Sequence, residues 1–333
     1  LIDPKLVGSW TNDFSGEVWL GHYYLVNAYR GIPVIQEKDK HTAIAYFNLH
    51  ELILQGQRMQ VWDCRFDLAD PAWGAAQHQQ GHVPGAVHRH LDVDLCGPKS
   101  GTNGRHPLPD RANWCQRLSR WGLDPDELVV VLDQGPGMYA ARAWWMLRWA
   151  GHSNVRLLDG GWQAWLQSGG PIEQGGVEPA GPGDQPYPAD RPPLACLATV
   201  DDVLRQLGQP GALVVDARAP ERFRGETEPL DPVAGHIPGA CNLPFTQQLA
   251  AEGRWQTPQA LEALWRTAVP RSASAPESLI LQCGSGVTAC HLAFGLHLAG
   301  LEGSALYGGS WSEWCADASR PVATGPAGLT HPS

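Results

Sequence analysis

Short apolar runs that end on a polar residue recur along the chain: Val61-Trp62 before Asp63, Val129–Leu132 before Asp133, and Val155–Leu158 before Asp159. Further on come Val214-Val215 before Asp216 and Leu279–Leu281 before Gln282-Cys283. Between them lie longer stretches with helical patterning, among them Ala140–Leu147 and Val287–Ala299, the latter closed by Gly300. Runs such as Val129–Leu132 are apolar on both alternating sides, as strands covered on both faces must be. Strand and helix in alternation predict an α/β fold, a doubly wound and mostly parallel sheet flanked by helices. Ligands in such folds bind beyond the carboxyl ends of the strands, where Cys283 and Asp133 fall.

The pattern is written twice. Val61-Trp62-Asp63-Cys64-Arg65 returns as Val214-Val215-Asp216-Ala217-Arg218, and Gly81-His82-Val83-Pro84-Gly85-Ala86 as Gly235-His236-Ile237-Pro238-Gly239-Ala240. Asp159-Gly160-Gly161-Trp162 is echoed by Gly308-Gly309-Ser310-Trp311, each landmark displaced by about 150 positions. A period this long marks a duplicated domain, not a solenoid, and 333 residues suffice for two cores. The expected units are residues 42–168, a linker rich in proline and glycine at 169–193, and residues 194–325. Residues 1–41 form an extension of unknown role, set apart by Lys5, Lys38 and Lys40 and lacking a core pattern.

Composition narrows the partners. A formal net charge of -10 disfavours nucleic acid and anionic membranes. No apolar run has the length of a membrane span. No basic segment followed by an apolar one opens the chain, so no secretion signal is read there. The eight cysteines are scattered, without a CxxC pair or zinc spacing, which predicts a reduced, cytoplasmic protein with no metal and no organic cofactor.

Cys283 stands apart from the other seven. It ends an apolar strand and precedes Gly284-Ser285-Gly286 and a helix, whose orphan N–H groups and dipole favour a thiolate and any anion attached to it. Amides from Gly284 through Gly286, Val287 and Thr288 can curl into an anion-binding nest, with Gly284 and Gly286 supplying left-handed backbone. A phosphatase cradle would place arginine at 289; Ala289 stands there. The first-half loop, Asp133-Gln134-Gly135-Pro136-Gly137-Met138, offers a carboxylate where a nucleophile would be needed, so that half is expected to be catalytically silent.

These landmarks together resemble tandem domains of the rhodanese family over residues 42–325, and Cys283–Cys290 is similar to the active loop of its 3-mercaptopyruvate sulfurtransferase branch. The resemblance implies sulfur transfer through a Cys283 persulfide, from a small-molecule donor to a thiol such as thioredoxin, or to cyanide. Neutral Gly284-Ser285 favours the monoanionic 3-mercaptopyruvate, with release of pyruvate, over thiosulfate; a non-catalytic sulfur carrier is the alternative from another class. The family's serine relay implies Ser285 with a histidine and an aspartate of the first half, best matched by His82 and Asp70, although His82 also fits a turn residue repeated as His236. Arg222 matches the arginine that holds the substrate carboxylate. A second family arginine is replaced by Leu230, and Arg105 is expected to reach across from the first half in its place.

Overall fold

The computed structural model describes residues 6–14, 17–24, 33–38, 42–177, 181, 185–209, 212–269 and 275–326, with side chains for Leu49 and from Glu51 onward. The leading residues hold two antiparallel pairs. β1 (Leu6–Phe14) pairs with β2 (Glu17–Tyr24), and β3 (Pro33–Lys38) with β4 (Thr42–Asn48), so the expected boundary at 42 falls inside a hairpin.

The first half then runs α1 (Leu49–Leu54), β5 (Met59–Asp63), α2 (Trp73–Gln80), β6 (Val87–His88), α3 (Leu91–Asp94), α4 (Arg111–Arg120) and β7 (Leu128–Leu132). It closes with α5 (Met138–Trp149), β8 (Val155–Leu157) and α6 (Gly161–Gln167). Its sheet is parallel throughout, in the order β6-β5-β7-β8. The second half contains β9 (Cys196–Ala198), α7 (Val200–Gln206), β10 (Leu213–Asp216), α8 (Pro220–Phe223) and β11 (Cys241–Asn242). It continues with α9 (Pro258–Ala268), β12 (Leu279–Gln282), α10 (Thr288–Leu298), β13 (Ala305–Tyr307) and α11 (Ser310–Trp314). This sheet too is parallel, in the order β11-β10-β12-β13-β9. Every residue of the central strands β7 and β12 is buried, which accounts for their unbroken apolar sequence.

The repeated Asp-x-Arg strand ends do the same work in both halves. Arg65 Nη2 donates to Asp63 Oδ2 at 2.6 Å and to the Gly81 carbonyl at 2.8 Å, while its guanidinium lies 4.6 Å over Trp162. Arg218 Nη2 donates to Asp216 Oδ2 at 2.7 Å and to the Gly235 carbonyl at 2.7 Å, again 4.6 Å over a tryptophan, Trp311. Each pair ties the end of a strand to a Gly-His-x-Pro-Gly-Ala turn, and each buried charge is compensated in place.

The halves meet along α5 and α10, where Trp144 packs edge-on against Phe294 at 4.9 Å. One apolar core is continuous through this contact. Polar ties accompany it: the Trp255 amide donates to Asp159 Oδ1 at 3.0 Å, and His291 Nε2 donates to the Pro136 carbonyl at 3.0 Å. The 169–193 segment, expected as an extended solvated linker, is largely exposed where it is described, but it is tied to the first half at several points. His82 and Glu173 exchange backbone hydrogen bonds at 2.9 and 3.0 Å, the Tyr187 amide donates to Ser119 Oγ at 2.7 Å, and Arg111 Nη1 donates to the Ala189 carbonyl at 2.8 Å. Its prolines remove amide donors, so side chains of the domain capture its carbonyls instead. Among the described residues no helix is long and apolar enough to cross a membrane.

Candidate active site

Cys283 follows the last residue of β12, and its loop is held from below by the β13–α11 turn. The Trp311 amide donates to the Cys283 carbonyl at 3.0 Å and the Ser312 amide to the Gly284 carbonyl at 2.9 Å. Sγ of Cys283 accepts from the Gly286 amide at 3.1 Å, the first contact of the expected nest. Gly286 sits at φ +78°, and a Cβ there would lie 2.3 Å from the Gly308 carbonyl oxygen, so position 286 admits only glycine. Gly284 differs from expectation, because it is not among the left-handed residues. Its reason is space: a Cβ would stand 3.1 Å from Arg105 Nη2 and 3.5 Å from Arg222 Nη2, crowding the ground between thiol and guanidiniums. Cys290, the other cysteine of the loop segment, donates from Sγ to the Gly286 carbonyl at 3.1 Å, and burial pushes its thiol up to about 12. It is therefore a packing residue.

Above Cys283 opens a cavity of about 220 Å³. The second half contributes Arg222, Leu230, Phe245 and the loop through Val287 and Thr288; the first contributes Leu68, Arg105, His106, Met138 and Tyr139. Two buried acids stand behind the arginines. Glu228 accepts from Arg222 Nη2 at 2.5 Å and from Arg218 Nη1 at 3.2 Å. Asp231 joins the halves: Oδ1 accepts from Arg105 Nη1 at 2.7 Å, and Oδ2 from Arg222 Nη2 at 3.4 Å. With those edges engaged, Arg105 Nη2 and Arg222 Nη1 face the loop, where a fork of donors can take a carboxylate. Arg105 thus does reach over the domain boundary, into the neighbourhood of Leu230, whose carbonyl it also meets at 3.4 Å.

Ser285 meets other residues than expected. Ser285 Oγ lies 2.7 Å from Nδ1 of His106, and Nε2 of His106 lies 3.7 Å from Asp92 Oδ1. With the proton on Nε2, facing Asp92, Nδ1 accepts the Ser285 hydroxyl proton. Burial pushes His106 down to about 3, Asp92 opposing and Arg142 and Arg105 adding to the fall, so the ring is neutral at physiological pH. Arg142 holds the geometry across the interface by donating to the carbonyls of His106 at 3.0 Å and Gly286 at 3.2 Å.

His82 and Asp70 are not brought to this loop. The His82 ring stacks on His78 at 3.9 Å with Nδ1 donating to the His78 carbonyl, while His236 makes the equivalent bond to the Phe223 carbonyl and stacks on Phe223 at 3.8 Å. Both are turn histidines. Asp70 is exposed and takes the Ala72 amide at 3.2 Å in the turn before α2. The sequence did contain the correct signal, since His106 adjoins Arg105 in Gly104-Arg105-His106-Pro107. What it lacked was any local mark separating His106 from the other histidines, because the Ser285 contact spans 179 positions.

The first-half loop likewise joins a central strand to a helix, with a different residue at its head. Asp133 Oδ1 accepts from the amides of Gly135 at 2.9 Å and Gly137 at 3.0 Å, and Oδ2 from Tyr139 at 3.0 Å and Ala140 at 3.4 Å. Burial pushes this carboxyl above its ordinary value, against the four amides, which favour the anion. Among the described residues no group of His, Cys, Asp or Glu side chains is placed to hold a metal ion.

Comparison with known proteins agrees with this architecture. The rhodanese-like domain model matches twice, at residues 48–168 and 199–317. A Pseudomonas aeruginosa protein named as a probable 3-mercaptopyruvate sulfurtransferase is 49% identical over 267 residues, covering 80% of this chain and 92% of its own. The human 3-mercaptopyruvate sulfurtransferase is 37% identical over 283 residues, covering 83% of this chain and 92% of its own, and the chicken thiosulfate sulfurtransferase 31% over 261 residues, covering 78% and 87%. Among solved structures, the 3-mercaptopyruvate sulfurtransferase of Escherichia coli superposes with a TM-score of 0.66 at 32% identity, covering 79% of this chain and 96% of its own.

Proposed function

From the premise that the chain belongs to the rhodanese-like domain family, we propose that it is a sulfurtransferase whose donor is 3-mercaptopyruvate and whose nucleophile is Cys283. The observation that carries the donor assignment is the placement of Arg105 and Arg222 beside Gly284, above a thiol flanked by a neutral Gly284-Ser285 pair. A guanidinium fork suits a carboxylate, and a small cavity suits a three-carbon acid.

The Cys283 thiolate attacks the donor sulfur; the S–S bond forms, the C–S bond breaks, and its electron pair remains on carbon as the enolate of pyruvate. One proton leaves the donor thiol and one is delivered to the enolate carbon, so the persulfide carries the negative charge away. Loop amides favour that anion, as they favour Sγ now. Ser285, backed by His106 and Asp92, is the proton-handling group, in place of the relay through His82 and Asp70. In the second half-reaction a thiol such as reduced thioredoxin, or cyanide, removes the outer sulfur and restores the thiolate, which predicts ping-pong kinetics. A scattered set of eight free cysteines, five of them buried, suits a reducing cytoplasm.

The test treats the protein with each donor in turn. A gain of about one sulfur atom on Cys283 from 3-mercaptopyruvate, absent in Cys283→Ser, supports the reading. A higher kcat/KM with thiosulfate would replace the donor, and an unmodified Cys283 with every donor would leave a carrier or binding module.

A further inference from the structure

Ser310 is the one non-glycine residue with positive φ, at +54°, among the described residues. L-residues reach this conformation only against steric opposition from Cβ. The duplication supplies an internal control. The equivalent position of the silent half, one residue before the matching tryptophan, is Gly161, at φ +55°. The φ of this residue is the same in both halves, although the residue before it differs, Gly160 at φ +76° and Gly309 at φ -69°, and in the first half the position holds the residue that suits it. The catalytic half therefore carries a strained serine at a site where the fold itself is satisfied by glycine.

What the serine adds is its hydroxyl, which is fully committed. Oγ donates to the Tyr307 carbonyl at 2.9 Å and accepts the amide of Cys283 at 3.1 Å. The residue is wholly buried. Cys283 is accordingly fixed from both sides of its peptide unit: its amide by Ser310 Oγ and its carbonyl by the Trp311 amide at 3.0 Å. In the silent half the second of these survives, the Trp162 amide meeting the Asp133 carbonyl at 2.8 Å, but a glycine can supply no counterpart of the first. Asp133 does not need it, being held by four amides through its own side chain. Cys283 Sγ, which must attack along one line and later present its outer sulfur to an acceptor, is met by one amide, that of Gly286, where Asp133 has four. Strain kept where function is, and absent from the copy without function, is the pattern expected of a positioning device.

We propose that Ser310 is a positioning residue for the nucleophile, orienting the Cys283 backbone through its hydroxyl so that Sγ lies along the line of attack, and that this role accounts for serine at a left-handed position. The proposal rests on Cys283 being the nucleophile.

Ser310→Gly removes the hydroxyl and the strain together, while Ser310→Ala removes the hydroxyl and keeps the strain. With 3-mercaptopyruvate in single turnover, Ser310→Gly is expected to form the persulfide roughly 10–100-fold more slowly, the range that misplacement of a reacting group produces. The donor KM and thermal midpoint should stay near wild type, a combination that a merely structural role would not give. Ser310→Ala should be as slow and also melt earlier. Wild-type persulfide rates in folded Ser310→Gly would overturn the proposal. If Ser310→Gly failed to fold, the rate of Ser310→Ala would decide in the same sense, and failure of both would make Ser310 a residue of the fold alone, which also overturns it. A wild-type protein that forms no persulfide would sink the sulfurtransferase reading itself, a result distinct from any difference between variants.

Discussion

Removing the Arg105 side chain tests the idea that the silent half supplies part of the donor site. In Arg105→Ala the donor carboxylate loses one of two guanidiniums, and Asp231 loses its 2.7 Å partner while keeping Arg222 at 3.4 Å. A charge-assisted hydrogen bond in a partly buried site contributes about 1.5–3 kcal/mol. At about 1.4 kcal/mol per factor of ten, the KM for 3-mercaptopyruvate should rise roughly 10–100-fold, with kcat at saturation little changed. Part of that rise comes from the uncovered Asp231 carboxylate repelling the donor. The double variant Arg105→Ala/Asp231→Asn isolates it, and is expected to recover part of the loss without reaching wild type. Arg105→Lys keeps the charge without the fork and should fall between. The assay is initial-rate kinetics with donor and acceptor varied separately, since a ping-pong enzyme should show the change in the donor term only. A correctly folded Arg105→Ala with unchanged donor KM would refute the reasoning.

Further outcomes follow from the same geometry. His106→Asn and Ser285→Ala should slow persulfide formation by about 10²–10⁴ if the pair handles the proton, whereas His82→Asn should lower the thermal midpoint and leave the rate intact; rapid-quench measurements on the three variants separate these. Asp133→Asn places an amide nitrogen among four backbone donors and should cost about 1–3 kcal/mol of stability by denaturant unfolding, with sulfur transfer by the folded fraction unchanged. Burial pushes His291 down to about 3, and its bonds to the Pro136 carbonyl and the Gln248 amide fix a neutral ring. Because the folded value lies below the unfolded one, the unfolded chain binds the extra proton, and stability present above about pH 6.5 is lost as pH falls towards 3. At pH 5 the loss is about 2 kcal/mol, and His291→Gln should show a shallower acid slope in urea unfolding between pH 7 and 5.

The fold was legible because the duplication doubled every signal. Strand ends at Asp63 and Asp216, the paired Gly-His-x-Pro-Gly-Ala turns and the β7 and β12 runs are local patterns, and local patterns survive in sequence. Cys283 was legible for the same reason, as a polar break between a buried strand and a helix. The relay was not. His82 sits in a motif that attracts attention, yet the motif serves the turn, as His236 demonstrates by repeating its bond where no serine waits. His106 becomes significant only when the halves close on each other, a tertiary event that spacing does not encode. Gly284 taught a related lesson: the glycine pattern was visible, but one member serves backbone geometry and the other serves empty space.

The side chain of Asp133 has a consequence for how one domain of a duplicated pair can hold its loop together without a cysteine at its head. A cradle of converging amides left vacant would be a standing cost in a buried site, since each donor would lack a partner. Asp133 resolves this by giving the first loop a resident hydrogen-bond acceptor, covalently attached and never exchanged. The second loop takes a transient one, delivered by a donor and surrendered to an acceptor in each cycle. The two halves thus differ less in architecture than in tenancy: one hydrogen-bond acceptor stays for the life of the molecule, and the other for a single turnover.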